Sequence, residues 1–446
     1  IDFEVLRRDL CCDLERDDLS ELRSAGHLRE GPQTHISHSD TRPDNLSLED
    51  VESLLRSAWL DLQHFPSPTI YPTLCGLLAL TQGQQDPITT AMLHAQSLGI
   101  TSRHRTIRHL AGCLKKLRKA SSELADKMDA LSLDELHPNE SKKSTEQKLS
   151  QLENIFSFPT ADPSTFPRSH CQEFIQQIQH LPPGVTVCVM SVLGVRPAEM
   201  GDSIILSRLE KGSTPVTVHI PTSKQQHPIS WLVQEIDRIQ VEQKAVSCVS
   251  EKAKWWEGRR ALDSRVERLL KEMEALLGCW RSLLLPLSLD PALSKEAQHL
   301  CKSLSAKGVT ISEEMLKAVL SASPVLSQED LQRFALGVSP QWDAECYQLL
   351  HTAVSQLADR DEPRGHVVLI LDKYLQKLPW ESISILKSRS VSRMPSLHSL
   401  IGLSIQKETD SRSILKQGVD ARQVFYVLDP DANLGNSQDR FKEWFS

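Results

Sequence analysis

A chain of 446 residues has room for roughly two to four domains and a sizeable core. Its 51 basic and 58 acidic residues give a formal net charge of −7, which excludes a dedicated nucleic-acid binder, whose footprint would be basic. No run approaches the roughly eighteen consecutive apolar residues of a membrane span, and ten cysteines without metal-type spacing read as reduced intracellular thiols.

Residues 1–46 are charged and then rich in Ser, His, Asp and Pro; "GPQTHISHSDTRPDN" has no apolar period and reads as a flexible linker. The charged start carries no signal peptide, and a start at Ile1 reads as a piece of a longer chain. His35 and His38 form an H-x-x-H without a cysteine nearby; structural zinc needs a fuller ligand set, so neither metal nor cofactor is expected.

A helical region, solenoid-like or a bundle, is predicted over 47–180. Ser47 and Asp50 form a capping box, and Val51, Leu54, Leu55, Ala58, Trp59 and Leu62 recur at helical spacing. Ile107, Leu110, Leu114, Leu117, Leu124 and Met128 mark a second, longer amphipathic helix, with a polar interruption at 137–148. The run Lys115, Lys116, Arg118 and Lys119, beside Arg103, Arg105 and Arg108, is a candidate nuclear import signal, though a solvated helical face is the commoner reading.

The character changes at Pro182. Three β-branched stretches, 185–194, 203–209 and 216–220, predict a small antiparallel unit. A helical hairpin insert follows over 229–290, with Leu262, Val266, Leu269, Leu270, Met273, Leu276, Leu277 and Trp280 on one face. Thr310 with Glu313 and Ser327 with Asp330 predict two capped helices. Pro340 after Ser339 opens another, lined by Trp342, Cys346, Leu349, Leu350, Ala353, Val354 and Leu357. From 365 onward an apolar strand, 366–371, a short strand near 390–394, a helix from Pro395 through Leu400 and a buried strand, 424–430, indicate a parallel α/β sheet with a helical crossover. The sheet reads as incomplete at Ser446.

Nucleophile patterns are weak. Cys346 and His351 share a helix, but five residues turn it by about 500°, so the two side chains do not share a face, and a core cysteine is the commoner reading. His366 heads a strand, where a satisfied, partly buried histidine is expected. There is no G-x-S-x-G, Walker A loop or G-x-G-x-x-G. Strand ends at Asp372 and Asp429 are ordinary turn formers. The residues thus describe an α/β platform without catalytic residues of its own.

Several segments resemble the separase family: "HVVLILDKYLQKLPWESI", "FYVLDPDANL", "GVTVCVMSVLG", "RLEKGSTPVTVHIPT", "WWEGRRALDSRVERLL" and "LGCW" occur in the family's order over most of 65–446. The resemblance implies a caspase-like, Arg-directed cysteine endopeptidase that cleaves the kleisin subunit of cohesin at anaphase and is held inactive by securin. A cyclin-dependent kinase complex is a further implied partner, and the implied locations are cytoplasm and nucleus, with spindle and centrosome in mitosis. It divides the chain into 1–46, a linker with a self-cleavage motif; 47–180, helical; 181–364, a non-catalytic, substrate-binding part; and 365–446, the first part of the protease domain. The family's histidine and cysteine strands follow "FYVLDP"; the seventeen residues after Asp429 contain neither His nor Cys, so the chain alone is expected to be inactive.

Pro379, Trp380, Glu381 and Ser382 are the structural hallmark of the resemblance; Pro379 fixes a turn and Trp380 is expected to wedge between the sheet and its crossover helix. "DFEVLR", with Glu4 and Arg7 followed by Arg8, matches the family's cleavage motif. Glu235 to Arg238 also matches E-x-x-R, but in a predicted helix that resists a protease cleft. Ser67-Pro68 and Ser323-Pro324 are minimal phosphorylation contexts and equally simple turns. The competing reading is a helical interaction scaffold with a degenerate caspase-like sheet that binds partners without cutting them.

Overall fold

The computed structural model describes residues 47–83, 85–131, 139–158, 168–197, 199–339, 342–357, 364–409, 414–420, 422, 429 and 435–445. Leu48 onward forms one unit. The expected linker over 1–46, with Glu4, Arg7, Arg8, His35 and His38, and the expected strand over 424–430 apart from Asp429, lie outside the described residues.

Val367–Leu371 is apolar at every position, so a strand there must be covered on both faces. It is: β4 (His366–Leu371) lies inside a five-stranded sheet of order β3-β2-β1-β4-β5, with β1 at Val185–Leu193, β2 at Ser203–Glu210, β3 at Val216–Pro221 and β5 at Val391–Arg393. Strands β1, β4 and β5 are parallel, whereas β2 and β3 run back as antiparallel hairpins. The expected small antiparallel unit is therefore not separate. Val185 pairs with His366 and Met190 with Leu371, so the unit and the later α/β segment are one sheet.

The period of two sorts the strand residues onto two cores. Val187, Val189, Leu209, Val368 and Ile370 face helices α1 (Leu48–Leu62), α2 (Tyr71–Gln82), α3 (Pro87–Gln96), α4 (Ile100–Leu131), α5 (Asn139–Phe156) and α6 (Arg168–Ile178). Cys188, Met190, Ile204, Leu206, Val367, Leu369 and Leu371 face the other way. There they meet α7 (Ile229–Ser247), α8 (Lys252–Leu277), α9 (Pro291–Ser305), α10 (Glu313–Ser321), α11 (Gln328–Val338) and α12 (Ala344–Leu357). The result is a three-layer sandwich, closed on the first face by α13 (Leu397–Thr409). Among the described residues no helix is long and apolar enough to cross a membrane.

Polar side chains pin the first layer. His94 of α3 is fully buried, with Nδ1 2.7 Å from Ser207 Oγ and Nε2 3.0 Å from Ser191 Oγ; burial lowers its pKa to about 3, so it stays a neutral imidazole bridging two strands. Arg103 corrects the solvated basic face expected of α4. It is fully buried, with Nε donating to Phe156 O (3.1 Å), Nη2 to Ser157 O (2.6 Å) and its guanidinium 3.9 Å over the Phe158 ring. It caps the orphan carbonyls at the end of α5, a task that a helix surface pattern cannot announce. Lys115, Lys116, Arg118 and Lys119 are exposed as expected, and Arg118 pairs with Glu146 at 2.7 Å.

Other expectations need adjusting. Of the apolar face expected on α1 only Trp59 is buried, and Val51 and Leu54 are exposed, because α1 has a principal neighbour, α2, only on one side. The N-cap of α10 is Ser312, which accepts from Met315 N at 3.2 Å, rather than Thr310. Pro340 lies outside the described residues, and the helix expected to open there begins at Ala344.

The capping box of Ser327 and Asp330 at α11 is present, and it does more than cap. Asp330 also takes both Nη atoms of Arg281, at 2.9 and 2.8 Å, tying the 3-10 turn Gly278–Leu284 to α11. Desolvation raises the Asp330 carboxyl, but hydrogen bonds from Arg281 and Ser327 outweigh it and hold the pKa at about 2, against 3.8 ordinarily. A depressed folded-state pKa means stability that is present above the ordinary value and lost as pH falls through the folded one. Asp330→Asn should therefore cost about 3 kcal/mol at neutral pH, as expected for a largely buried pair broken on one side. Urea unfolding should show that cost shrinking as pH falls below 3.8 towards 2; a deficit that does not change over this window would contradict the assignment.

Candidate functional site at the carboxyl edge of the parallel strands

In an open α/β sheet, ligand and reactive groups gather beyond the carboxyl ends of parallel strands. Here that edge is formed by the ends of β1, β4 and β5, at Leu193, Leu371 and Arg393. Two polar locks hold it.

The first is Asp372, the residue after β4. Its carboxyl accepts Val192 N from β1 at 2.6 Å, Tyr374 N at 2.9 Å and Leu375 N at 2.8 Å, while its own N–H donates to Met190 O at 3.1 Å. Burial pushes its pKa up to about 6, and the three backbone donors pull the other way. A short polar residue directly after an apolar strand is ordinary turn chemistry, but here it also fastens β1 to β4.

The second lock is Arg393, the last residue of β5. Its Nε and Nη2 grip Glu381 Oε1 and Oε2 at 2.5 and 2.7 Å, Nη1 donates to Gln376 O at 2.6 Å and Nη2 also donates to Leu378 O at 2.8 Å. Desolvation raises the Glu381 carboxyl, but the Arg393 fork outweighs it and holds it below its ordinary range. One guanidinium thus gathers the whole segment from Gln376 to Glu381.

Between the locks sits the Pro-Trp turn. The β4–β5 connection has 3-10 turns at Leu375–Lys377 and Trp380–Ser382, and the helix expected from Pro395 through Leu400 follows β5 as α13. Trp380 is fully buried and donates from Nε1 to Leu375 O at 2.9 Å, but it fills the core on the α7–α12 face, not the space under the crossover helix α13, which packs on the other face. Pro379 (φ −83°) precedes it, and Ser382 N donates back to Pro379 O at 3.0 Å. Lys377 reaches Asp237 of α7 at 2.8 Å, so the turn is also fastened to the helical hairpin.

The other sequence candidates are scattered. Cys346 is buried on α12, where burial pushes its thiol up. His366 lies at the opposite, amino end of β4, with its ring nitrogens 2.6 and 2.8 Å from Ser390 Oγ and Ser392 Oγ. A pair that the sequence did not single out, Cys113 and His109, approaches to 3.6 Å on the exposed side of α4, far in sequence from the edge. No cluster of three or more metal-ligating side chains occurs among the described residues. Glu235 and Arg238 lie within α7, where Glu235 binds Arg265 at 2.7 Å. Sequence reasoning missed Arg393 and the bridging role of Asp372; the only signal was an opposite charge twelve positions from Glu381.

A family model described as the separin protease domain matches residues 199–446. The chain belongs to the separin family. It is 39% identical to the mouse separin over 450 residues, which is 99% of this chain but 21% of that protein. It is 24% identical to the separin of Schizosaccharomyces pombe over 309 residues, or 57% of this chain and 16% of that one. The chain thus spans about a fifth of the mouse relative's length. The fold is shared with separase in a separase–securin complex from Saccharomyces cerevisiae at 3.0 Å resolution: TM-score 0.53, 14% identity, covering 91% of this chain and 28% of that one. A second structure of that yeast complex gives the same TM-score at 15% identity. The matched region begins after β1, although β1 is the central strand of the sheet.

Trp380→Ala should destabilise the chain by about 3–5 kcal/mol through the cavity it leaves. Trp380→Phe, which keeps a ring but loses the bond to Leu375 O, should cost less than half of that. Equilibrium unfolding of the two variants checks the order; equal costs would place the value of Trp380 outside packing.

Proposed function

We propose that this chain is the part of a separase that runs from its self-cleavage segment through its substrate-binding half into the first strands of its cysteine-protease domain. The family match over 199–446 carries this reading. The doubly locked carboxyl edge supports it, because a protease sheet needs a rigid rim on which a nucleophile and base can be set. In the whole enzyme the activity would be Arg-directed cleavage of the kleisin subunit of cohesin, restrained by securin. The two yeast structures that share the fold are of separase in complex with securin.

On this reading Asp372, Trp380 and Arg393 are positioning residues. Among the described residues no thiol has a base set at the edge, so purified chain should not turn over an E-x-x-R peptide. Turnover that survives Cys346→Ser would show a site elsewhere in the chain and would favour neither the platform role nor a pure scaffold.

Self-cleavage belongs to the same proposal. Glu4 and Arg7 in an extended strand stand about 10 Å apart, far enough for two pockets of opposite sign to set register. Active separase added in trans should release a fragment beginning at Arg8. Arg7→Glu should abolish that product and Glu4→Arg should weaken it strongly. N-terminal sequencing decides between Arg7 and Arg8, and an intact chain beside a cleaved cohesin substrate would refute the site.

A further inference from the structure

The hairpin α7–α8 is seated on the sheet only by its root. Its buried residues are Ile229, Leu232, Val233, Ile236 and Ile239 on one helix and Leu262, Leu269, Met273, Leu276 and Leu277 on the other. Over residues 240–261 none is buried. At 1.5 Å per residue, the outer turns extend about 12 Å beyond Ile239, the last buried residue of α7. An arm so exposed is expected to be polar all round, yet its outer part shows Val241 at 69% exposure and Trp256 at 51%.

The tryptophans are held in place. Trp255 and Trp256 meet edge to face with centroids 4.8 Å apart, and the Arg259 guanidinium lies 5.4 Å over Trp255. The two helices remain packed right up to them: a Cβ on Gly258 would fall 2.9 Å from both methyls of Val246, so the glycine is what lets the helices close. A rigid aromatic anchor loses little entropy on binding, which is the property of interface hot spots.

The charge around this anchor is also distinctive. In a chain of net charge −7, residues 240–261 carry five cations and three carboxylates. Arg265 takes Glu242, and Lys254 takes Glu251 at 2.7 Å. Lys252 and Arg260 are exposed and have no acidic partner among the described residues.

We propose that the hairpin tip docks an acidic segment of a partner protein, with an apolar or aromatic side chain stacked on Trp256 and flanking carboxylates on Lys252 and Arg260. Carboxylates interleaved among the cations fit discrete acidic side chains. They oppose a phosphate backbone or an anionic bilayer, both of which reward unbroken positive charge. The proposal stands independently of the peptidase reading, since it uses no residue of the carboxyl edge.

The test is a selection of random peptides of about 16 residues, displayed on phage, against the intact chain. The Trp256→Ser chain serves for counter-selection. Enriched peptides should be rich in Asp and Glu around Trp, Phe or Leu. Made synthetically, they should bind Trp256→Ser and Arg260→Glu chains at least about tenfold more weakly than the parent, as loss of a hot-spot contact entails. Both positions are exposed, and unchanged circular dichroism confirms that the variants fold. Peptides without acidic bias, or equal binding to parent and variants, would overturn the proposal. Phosphatidylserine vesicles and oligothymidylate are run in parallel; binding of either that Trp256→Ser abolishes would assign the tip to a lipid or nucleic acid and overturn it as well.

Discussion

Everything else in this chain hangs on the parallel pairing of β1 with β4. The two strands contribute alternate side chains to both cores, so a slip of one residue would turn every apolar group to the wrong layer. The register is pinned at both ends. At the amino end His366 N donates to Gly184 O at 3.0 Å, and Gly365 lies so close that a Cβ there would stand 1.8 Å from that carbonyl. At the carboxyl end the Asp372 carboxyl takes the N–H of Val192.

The two ends of the sheet are built differently, and the difference bears on function. The amino end closes by backbone proximity, small residues and the bridge from the His366 ring to the neutral hydroxyls of Ser390 and Ser392. The carboxyl end closes by charge: one buried carboxyl that takes backbone N–H groups from β1 and from the turn after β4, and one arginine fork that gathers Gln376 to Glu381. Such locks hold geometry more tightly than apolar packing, because a hydrogen bond fixes direction as well as distance. A rim that must present side chains in fixed directions needs that hold, while the core beneath tolerates looser fit.

Much of this was legible in the residues. The unbroken run Val367–Leu371 announced a strand buried on both faces, and the spacing of Leu262, Leu269, Met273 and Leu276 announced the hairpin. What could not be read was partnership across distance. Arg103 looked like one more cation on a basic helix because nothing in its own helix shows that the end of α5 needs a cap. The β unit looked self-sufficient because its third neighbour lies far along the chain. At the edge, Trp380 was legible as buried from its type and its proline, but the face it fills was not. Arg393 was not, since a lone arginine closing a three-residue strand carries no sign of what it grips.

The separation of β1 from its parallel neighbour also sets an order of events during synthesis. Val192 and Asp372 are 180 residues apart. At ribosomal rates of about 5–20 residues per second, β1 emerges and waits roughly 9–36 seconds before β4 exists to cover its inner edge. During that interval a strand row containing Val187, Cys188, Val189 and Met190 is open to any other unpaired edge. The insert between them, with its self-contained hairpin α7–α8 and short capped helices, is rich in local contacts that form fast. It can therefore cover one face of the waiting hairpin while the inner edge of β1 stays bare until β4 arrives.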